Sequence, residues 1–239
     1  DNFGNIDIEE FKRVLRKDTI LVSIMYINNE IGVINPIAEI GKEILKWKKQ
    51  NETAYPYFHT DACQAASTQD LHVEKLHVDL LSLTGSKIFG PKGTGVLYKR
   101  RGVEISPLLY GGGQEAGVRG GTENVAGIAG MAKALVMTEH DKADYESVRM
   151  IRNYFWNCIQ KSIRDVTLNG PGVEDKRRAP QNLNVSFLGI DAEALLLYLD
   201  EYGIMCSKGS ACETDKAGSH VLLALGLDEQ HLRGAIRFT

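Results

Sequence analysis

The stretch Asp79-Leu-Leu-Ser-Leu-Thr84-Gly-Ser-Lys87-Ile-Phe-Gly-Pro-Lys92-Gly-Thr-Gly95-Val-Leu-Tyr98 decides the reading of the fold. It opens on an apolar run of strand length, Asp79–Leu83, and passes through hydroxyls and a lysine. It then turns through Gly90–Gly95 and resumes as a second strand, Gly95–Tyr98. Upstream, Ile8, Phe11, Val14 and Leu15 recur at helical spacing ahead of a mostly apolar run, Thr19–Met25. A helix starting at Pro36, a residue favourable in a first turn, carries Ile37, Ile40, Ile44 and Trp47 on one face and is followed by a strand at Tyr55–His59. Strands alternating with helices predict an α/β domain on a mainly parallel sheet, whose ligands sit beyond the carboxyl ends of the strands. Polar residues directly after strands are therefore the first candidates for function.

Downstream, the Gly-rich stretch Gly111–Gly121 precedes a long helical pattern from Asn124 to Ile163, interrupted by charge at Glu139–Glu146. A domain boundary is expected there, giving a larger domain over 1–143 and a smaller one over 144–239. A strand at Asn182–Phe187, a helix at Asp191–Tyr202 and a shorter one near His220–Leu225 make the second part an α+β domain. Arg177 and Arg178 lie in a polar, Pro-flanked loop and are expected on a solvated surface.

Composition bounds the partners. The 239 residues are 43% hydrophobic and 25% charged, with a formal net charge of −3, so there is no overall basic field to hold nucleic acid. Cys63, Cys158, Cys206 and Cys212 form neither a CxxC pair nor a disulfide framework, which suits a reducing compartment, and a cytoplasmic location is expected, with an organelle matrix as the other option. No apolar run reaches the roughly 18 residues of a membrane span, so no membrane partner is expected. The first residue is not Met and Asp1-Asn2-Phe3-Gly4 is turn-like, so the chain is expected to start partway through a longer protein.

Three constellations carry chemistry. His59-Thr-Asp61-Ala-Cys-Gln64 places a carboxylate and an amide where a strand is expected to give way to a helix. Asp61 reads either as a helix cap or as an anion that keeps a pyridine nitrogen protonated, as pyridoxal phosphate requires of its electron sink. The strand ending in Thr84-Gly-Ser86-Lys87 brings a lysine to the same sheet edge, where a desolvated amine can form a Schiff base. Lys92 is its rival by spacing, and two surface lysines in a turn are the bland alternative. The Gly90–Gly95 turn precedes a strand and lacks the Gly-Lys-Ser/Thr ending of a phosphate-binding loop. Met205-Cys206-Ser-Lys-Gly-Ser-Ala-Cys212 is a small, polar segment with two thiols, either packed as small hydrophobes or, for Cys212 above all, reactive. Its spacing to His220 matches no familiar zinc site.

These segments, together with Ser23-Ile-Met-Tyr-Ile-Asn-Asn29-Glu-Ile-Gly-Val, Gly111-Gly-Gly-Gln-Glu, Arg119-Gly-Gly-Thr122-Glu-Asn, Gly209-Ser-Ala-Cys212 and Ile236-Arg-Phe238, resemble the cysteine desulfurases of the NifS/IscS type, in that family's order and across essentially the whole chain. The resemblance implies the fold type I of pyridoxal-phosphate enzymes: a mainly parallel large domain, here incomplete, and a smaller α+β domain. It implies that Lys87 is the Schiff-base lysine, leaving Lys92 a turn residue, and that Asp61 pairs with the pyridine nitrogen. Gln64 and Asn29 would address the ring's phenolic oxygen, with Asn29 also near the substrate carboxylate, which Arg237 would grip in the bidentate way guanidinium favours. Thr84 and Ser86 would bind the phosphate, and Thr122 the phosphate of the neighbouring subunit of a homodimer. L-cysteine would be the substrate, Cys212 the sulfur carrier, and a sulfur-acceptor or iron-sulfur scaffold protein the recipient.

The family usually has His where this chain has Ser86, so weaker cofactor retention is expected. A phosphate loop and a ring-stacking His that the family carries upstream, and its final helix and strands, have no counterpart here. The chain by itself is expected to hold the cofactor poorly. Two other readings stay open at this stage: a relative acting on selenocysteine or cysteine sulfinate, and an inactive fragment that only binds partners.

Overall fold

The computed structural model describes residues 1–140, 144–209 and 219–239. In chain order the elements are α1 (Ile8–Val14), β1 (Leu21–Met25), α2 (Ile37–Gln50), β2 (Tyr57–Asp61), α3 (Val73–Leu76), β3 (Leu80–Thr84), β4 (Gly95–Lys99), α4 (Val125–His140), α5 (Asp144–Ser162), β5 (Val166–Leu168), β6 (Leu183–Phe187), α6 (Ala192–Glu201), α7 (His220–Ala224), α8 (Glu229–Arg233) and β7 (Ala235–Phe238). Short 3-10 turns occur at Gly85–Ile88 and Gln114–Gly117. Among the described residues no helix is long and apolar enough to cross a membrane.

The chain divides into two compact units, one of residues 15–25 and 37–141, the other of 1–14, 26–36 and 142–239. The first unit is built on a sheet in the order β1-β2-β3-β4, with β1, β2 and β3 parallel and β4 antiparallel at the edge. The mainly parallel sheet read from the sequence is thus present. Register places Ser23 beside His59 and Asp61 beside Ser82. Side chains alternate across a strand, so His59 and Asp61 share one face of β2 while buried Phe58 and Thr60 share the other. Helix α2 buries Ile37, Ile40, Gly41 and Ile44, the face its periodicity predicts.

Two local expectations differ. The strand expected at Tyr55–His59 runs two residues further on, over Tyr57–Asp61. After Asp61 the chain makes turns, Ala65 N–H to Ala62 O at 2.9 Å and Thr68 N–H to Ala65 O at 3.0 Å, and no helix. The Asp61 carboxylate itself accepts the Cys63 N–H at 2.9 Å, which offers the backbone a turn in place of a helical start.

The second unit holds an antiparallel sheet in the order β5-β6-β7. One face of β6 presents Leu183, Val185 and Phe187 to Trp156, Ile159, Ala192 and Ile236. The other face is polar and buried, with Asn169 Nδ2 donating to Asn184 Oδ1 and Ser186 Oγ, each at 2.8 Å. Residues 1–14 and 26–36, assigned to the larger domain by a cut at 143, pack with this unit: Ile31 and Val33 join Leu222, Leu225 and Ala235 in one apolar cluster. Gly32 permits the approach, because a Cβ there would overlap the Asn182 side chain and its φ is +70°.

Arg178 is the clearest departure from the sequence reading. It is 3% exposed, and its guanidinium donates to the carbonyls of Pro171 and Asn169 and, at 3.3 Å, to Asn182 Oδ1. Three acceptors converging on one fork turn a residue expected in solvent into an internal strut. Burial pushes it down to about 9, still protonated at neutral pH. Arg177, exposed and paired with Asp175 at 2.6 Å, does lie on the surface.

Candidate active site

The carboxyl ends of β2 and β3 put Asp61 and Thr84 at one edge of the parallel sheet, and the 3-10 turn that follows β3 presents Ser86 and Lys87. Gly85 lets this turn close, since a Cβ there would run into the Thr94 hydroxyl and the Pro91 carbonyl. Ile88 then anchors the turn from beneath, buried against Ala66, Met131 and Ala134. The outcome is an apolar footing under a polar rim. Thr84 Oγ1 lies 3.3 Å from Ser86 Oγ and donates to Thr94 O at 3.4 Å. Lys87 is exposed, and its amine has no hydrogen bond or ion pair among the described residues.

Cys63 ties these groups together electrostatically. Burial and the Asp61 carboxylate push its thiol up to about 12, while the charge of Lys87 pulls the other way. Lys92, its rival by spacing, is likewise exposed, in the turn that follows. Gln64 is half-buried in the turn after Asp61, and Thr122 is exposed in the loop ahead of α4.

The sequence reading quoted His59 without giving it a role. Its Nδ1 is 2.8 Å from Ser23 Oγ on β1 and its Nε2 is 3.1 Å from Ser82 Oγ on β3, so the imidazole bridges three parallel strands on the face that carries Asp61. Burial lowers its pKa and the Asp61 charge opposes that shift. The available signal was its spacing, two residues before Asp61 in a strand.

Asn29 and Arg237 belong to the other compact unit. Arg237, on β7, donates from Nη1 to the Asn29 carbonyl at 2.9 Å and exchanges backbone hydrogen bonds with Ser207 at 3.0 and 2.7 Å. Its Nε is buried without a hydrogen-bond partner among the described residues. Burial lowers the pKa of the guanidinium and Glu30 counters it. Cys206 is half-buried against the apolar cluster of β6, the fate of a small hydrophobe. Cys212 lies outside the described residues.

A lysine, a carboxylate and hydroxyls gathered at the carboxyl ends of parallel strands define the architecture of fold type I pyridoxal-phosphate enzymes. The chain belongs to the aminotransferase class-V family, which matches residues 1–238. It is 46% identical over 242 residues to a cysteine desulfurase IscS of Dictyoglomus turgidum, covering 100% of this chain and 59% of that relative. Among solved structures, a NifS-like protein superposes with a TM-score of 0.87 at 35% identity, over 100% of this chain and 60% of the other. The structure described as SspA in complex with cysteine superposes with a TM-score of 0.78 at 32% identity, over 100% of this chain and 63% of the other. The chain thus spans about three fifths of the proteins it matches.

Proteins of this family depend on pyridoxal phosphate. The residues that the first unit gathers at its sheet edge fit such a group: an amine with no partner among the described residues for an aldehyde, a carboxylate for a ring nitrogen, and adjacent hydroxyls for phosphate oxygens.

Proposed function

We propose that the protein carrying this chain is a cysteine desulfurase that converts L-cysteine to L-alanine with pyridoxal phosphate and passes the sulfur to Cys212. The observation that carries the reading is the amine of Lys87, without a partner among the described residues, at the strand edge shared with Asp61. The 46% identity to a protein named cysteine desulfurase, and a structural relative described in complex with cysteine, support the substrate.

In this reading Lys87 holds the cofactor through its amine and later moves a proton at the substrate α-carbon. Asp61 keeps the ring nitrogen protonated, Gln64 and Asn29 address the phenolic oxygen, and Thr84 and Ser86 bind the phosphate. Thr122 serves the neighbouring subunit's phosphate in a homodimer. Arg237 grips the substrate carboxylate with the N–H that has no partner among the described residues. When bound, the cofactor supplies the sink for the negative charge that builds beside the α-carbon.

Cys212, as thiolate, attacks the substrate sulfur. The new S–S bond forms as the substrate's Cβ–S bond breaks, and the electron pair left on carbon takes up a proton. Cysteine plus thiol thus becomes alanine plus persulfide, with no external oxidant or reductant. The persulfide is then available to a sulfur-acceptor or iron-sulfur scaffold protein, and the thiol chemistry suits the cytoplasm. In the full-length protein, Cys212→Ala abolishes sulfur release from L-cysteine and leaves the visible absorption of the bound cofactor in place. Desulfuration that survives the substitution sinks the reading.

A further inference from the structure

Three polar side chains line up across the parallel strands, one step back from the sheet edge that carries Asp61. Register sets Ser23 of β1 beside His59 of β2, and Asp61 of β2 beside Ser82 of β3. The His59 ring closes the gaps, with Nδ1 2.8 Å from Ser23 Oγ and Nε2 3.1 Å from Ser82 Oγ. Each hydroxyl can donate or accept, so both bonds persist whichever ring nitrogen carries the proton. Ser23, His59, Asp61, Ser82 and Thr84 all belong to one compact unit and share one face of its sheet. The backbone ladder already joins the three strands, so this side-chain tether is additional to it.

Asp61 meets the tether on two sides. Along β2 it follows His59 by two residues, about 7 Å further on the same face, and Ser82 stands opposite it on β3, about 5 Å away from strand to strand. The bond from His59 to Ser82 ties these two neighbours to each other, so a carboxylate swinging back over the sheet would meet side chains that are held in place. Asp61 Oδ1 accepts the Cys63 N–H at 2.9 Å, which draws the carboxylate towards the end of the strand. That end is where Thr84, Ser86 and Lys87 are gathered. We infer that His59 is a positioning residue: tethered between Ser23 and Ser82, it keeps the Asp61 carboxylate aimed at the ring nitrogen of the bound cofactor. The inference rests on the reading of Asp61 as the partner of that nitrogen.

The test compares two ligands of the cofactor-free full-length protein by equilibrium dialysis: pyridoxal phosphate and its 1-deaza analogue, in which C–H replaces the ring nitrogen. Both offer the same aldehyde and phosphate, so they differ only at the atom Asp61 faces. His59→Ala, which releases Asp61, binds pyridoxal phosphate about threefold to tenfold more weakly and the analogue within about twofold of the parent. His59→Phe fills the space without either hydrogen bond and behaves as His59→Ala does. Equal weakening of both ligands, as a purely structural role would give, overturns the proposal, and so does an unchanged affinity or full recovery in His59→Phe. Should the His59 variants not fold, Ser82→Ala removes the bond nearest Asp61 and carries the same expectation with the same two ligands. Asp61→Asn separates the two ideas: if it leaves the preference for pyridoxal phosphate over the analogue intact, the reading of Asp61 itself fails. A preference lost in Asp61→Asn but kept in His59→Ala removes only the role of His59.

Discussion

Replacing Arg178 by Met tests the internal strut of the second compact unit. The methionine fills much of the arginine stem but leaves the carbonyls of Pro171 and Asn169 and the Asn182 amide oxygen without their donor, all around a site that is 3% exposed. Each buried acceptor left unsatisfied costs about 1–3 kcal/mol. Relief from burying a cation offsets part of that sum, leaving a net loss of about 2–4 kcal/mol. Against a total of about 5–15 kcal/mol this is a large fraction of the stability. Urea unfolding followed by tryptophan fluorescence reads it directly, because Trp156 is 8% exposed in the apolar cluster of the same unit. The expected result is a lowered midpoint with an unchanged slope. A second consequence follows from Asn182, whose Nδ2 donates to the Glu30 carbonyl beside Asn29: the surviving folded enzyme shows a raised KM for cysteine. A stability change below about 1 kcal/mol would refute the strut, since it would mean that the fork contributes no more than an ordinary surface group.

Arg237→Lys replaces a planar fork by a point charge that cannot hold the Asn29 carbonyl and a carboxylate in the same fixed geometry, so KM for L-cysteine rises about tenfold while cofactor absorbance holds; an unchanged KM argues that the carboxylate binds elsewhere. His59 titrates below its ordinary value of 6.5 because burial disfavours the charged ring. The unfolded chain therefore binds the extra proton first, and the stability tied to the neutral ring, full above about pH 6.5, is lost as pH falls through the folded-state value. Thermal unfolding between about pH 5 and pH 8 should accordingly show a steeper acid-side decline for the parent than for His59→Gln, and parallel curves would remove His59 from the account.

Much of the architecture was legible because apolar runs and helical periodicity are local. Val22 and Ile24 in β1, Leu80 and Leu81 in β3, and the Ile37, Ile40, Ile44 stripe of α2 report their own environment. The short elements β5, α3 and α8, of three, four and five residues, carry no distinct pattern of their own and stayed invisible. The turn after Asp61 escaped for another reason: an aspartate at a strand end reads equally well as the cap of a helix or as the acceptor of a local turn, and the Cys63 N–H selects the second.

The placement of the candidate residues in the fold was legible to the same extent. Lys87, Asp61, Thr84 and Ser86 sit one strand apart at a sheet edge, which alternation of strands and helices predicts. Long-range polar partners were not legible. Arg178 looked solvated because loop composition says nothing about three carbonyls converging on it, and Glu30 reaches Asn182, Asn184 and Ser219 across more than 150 positions of chain. His59 lay between these cases, since its register with Ser23 and Ser82 depends on strand order.

Borohydride reduction of the full-length, cofactor-loaded protein, followed by peptide mapping, bears most directly on the central claim. The account predicts a stable pyridoxyl mark on the peptide containing Lys87 and none on Lys92. A mark on another lysine, or on no lysine at all, would contradict it.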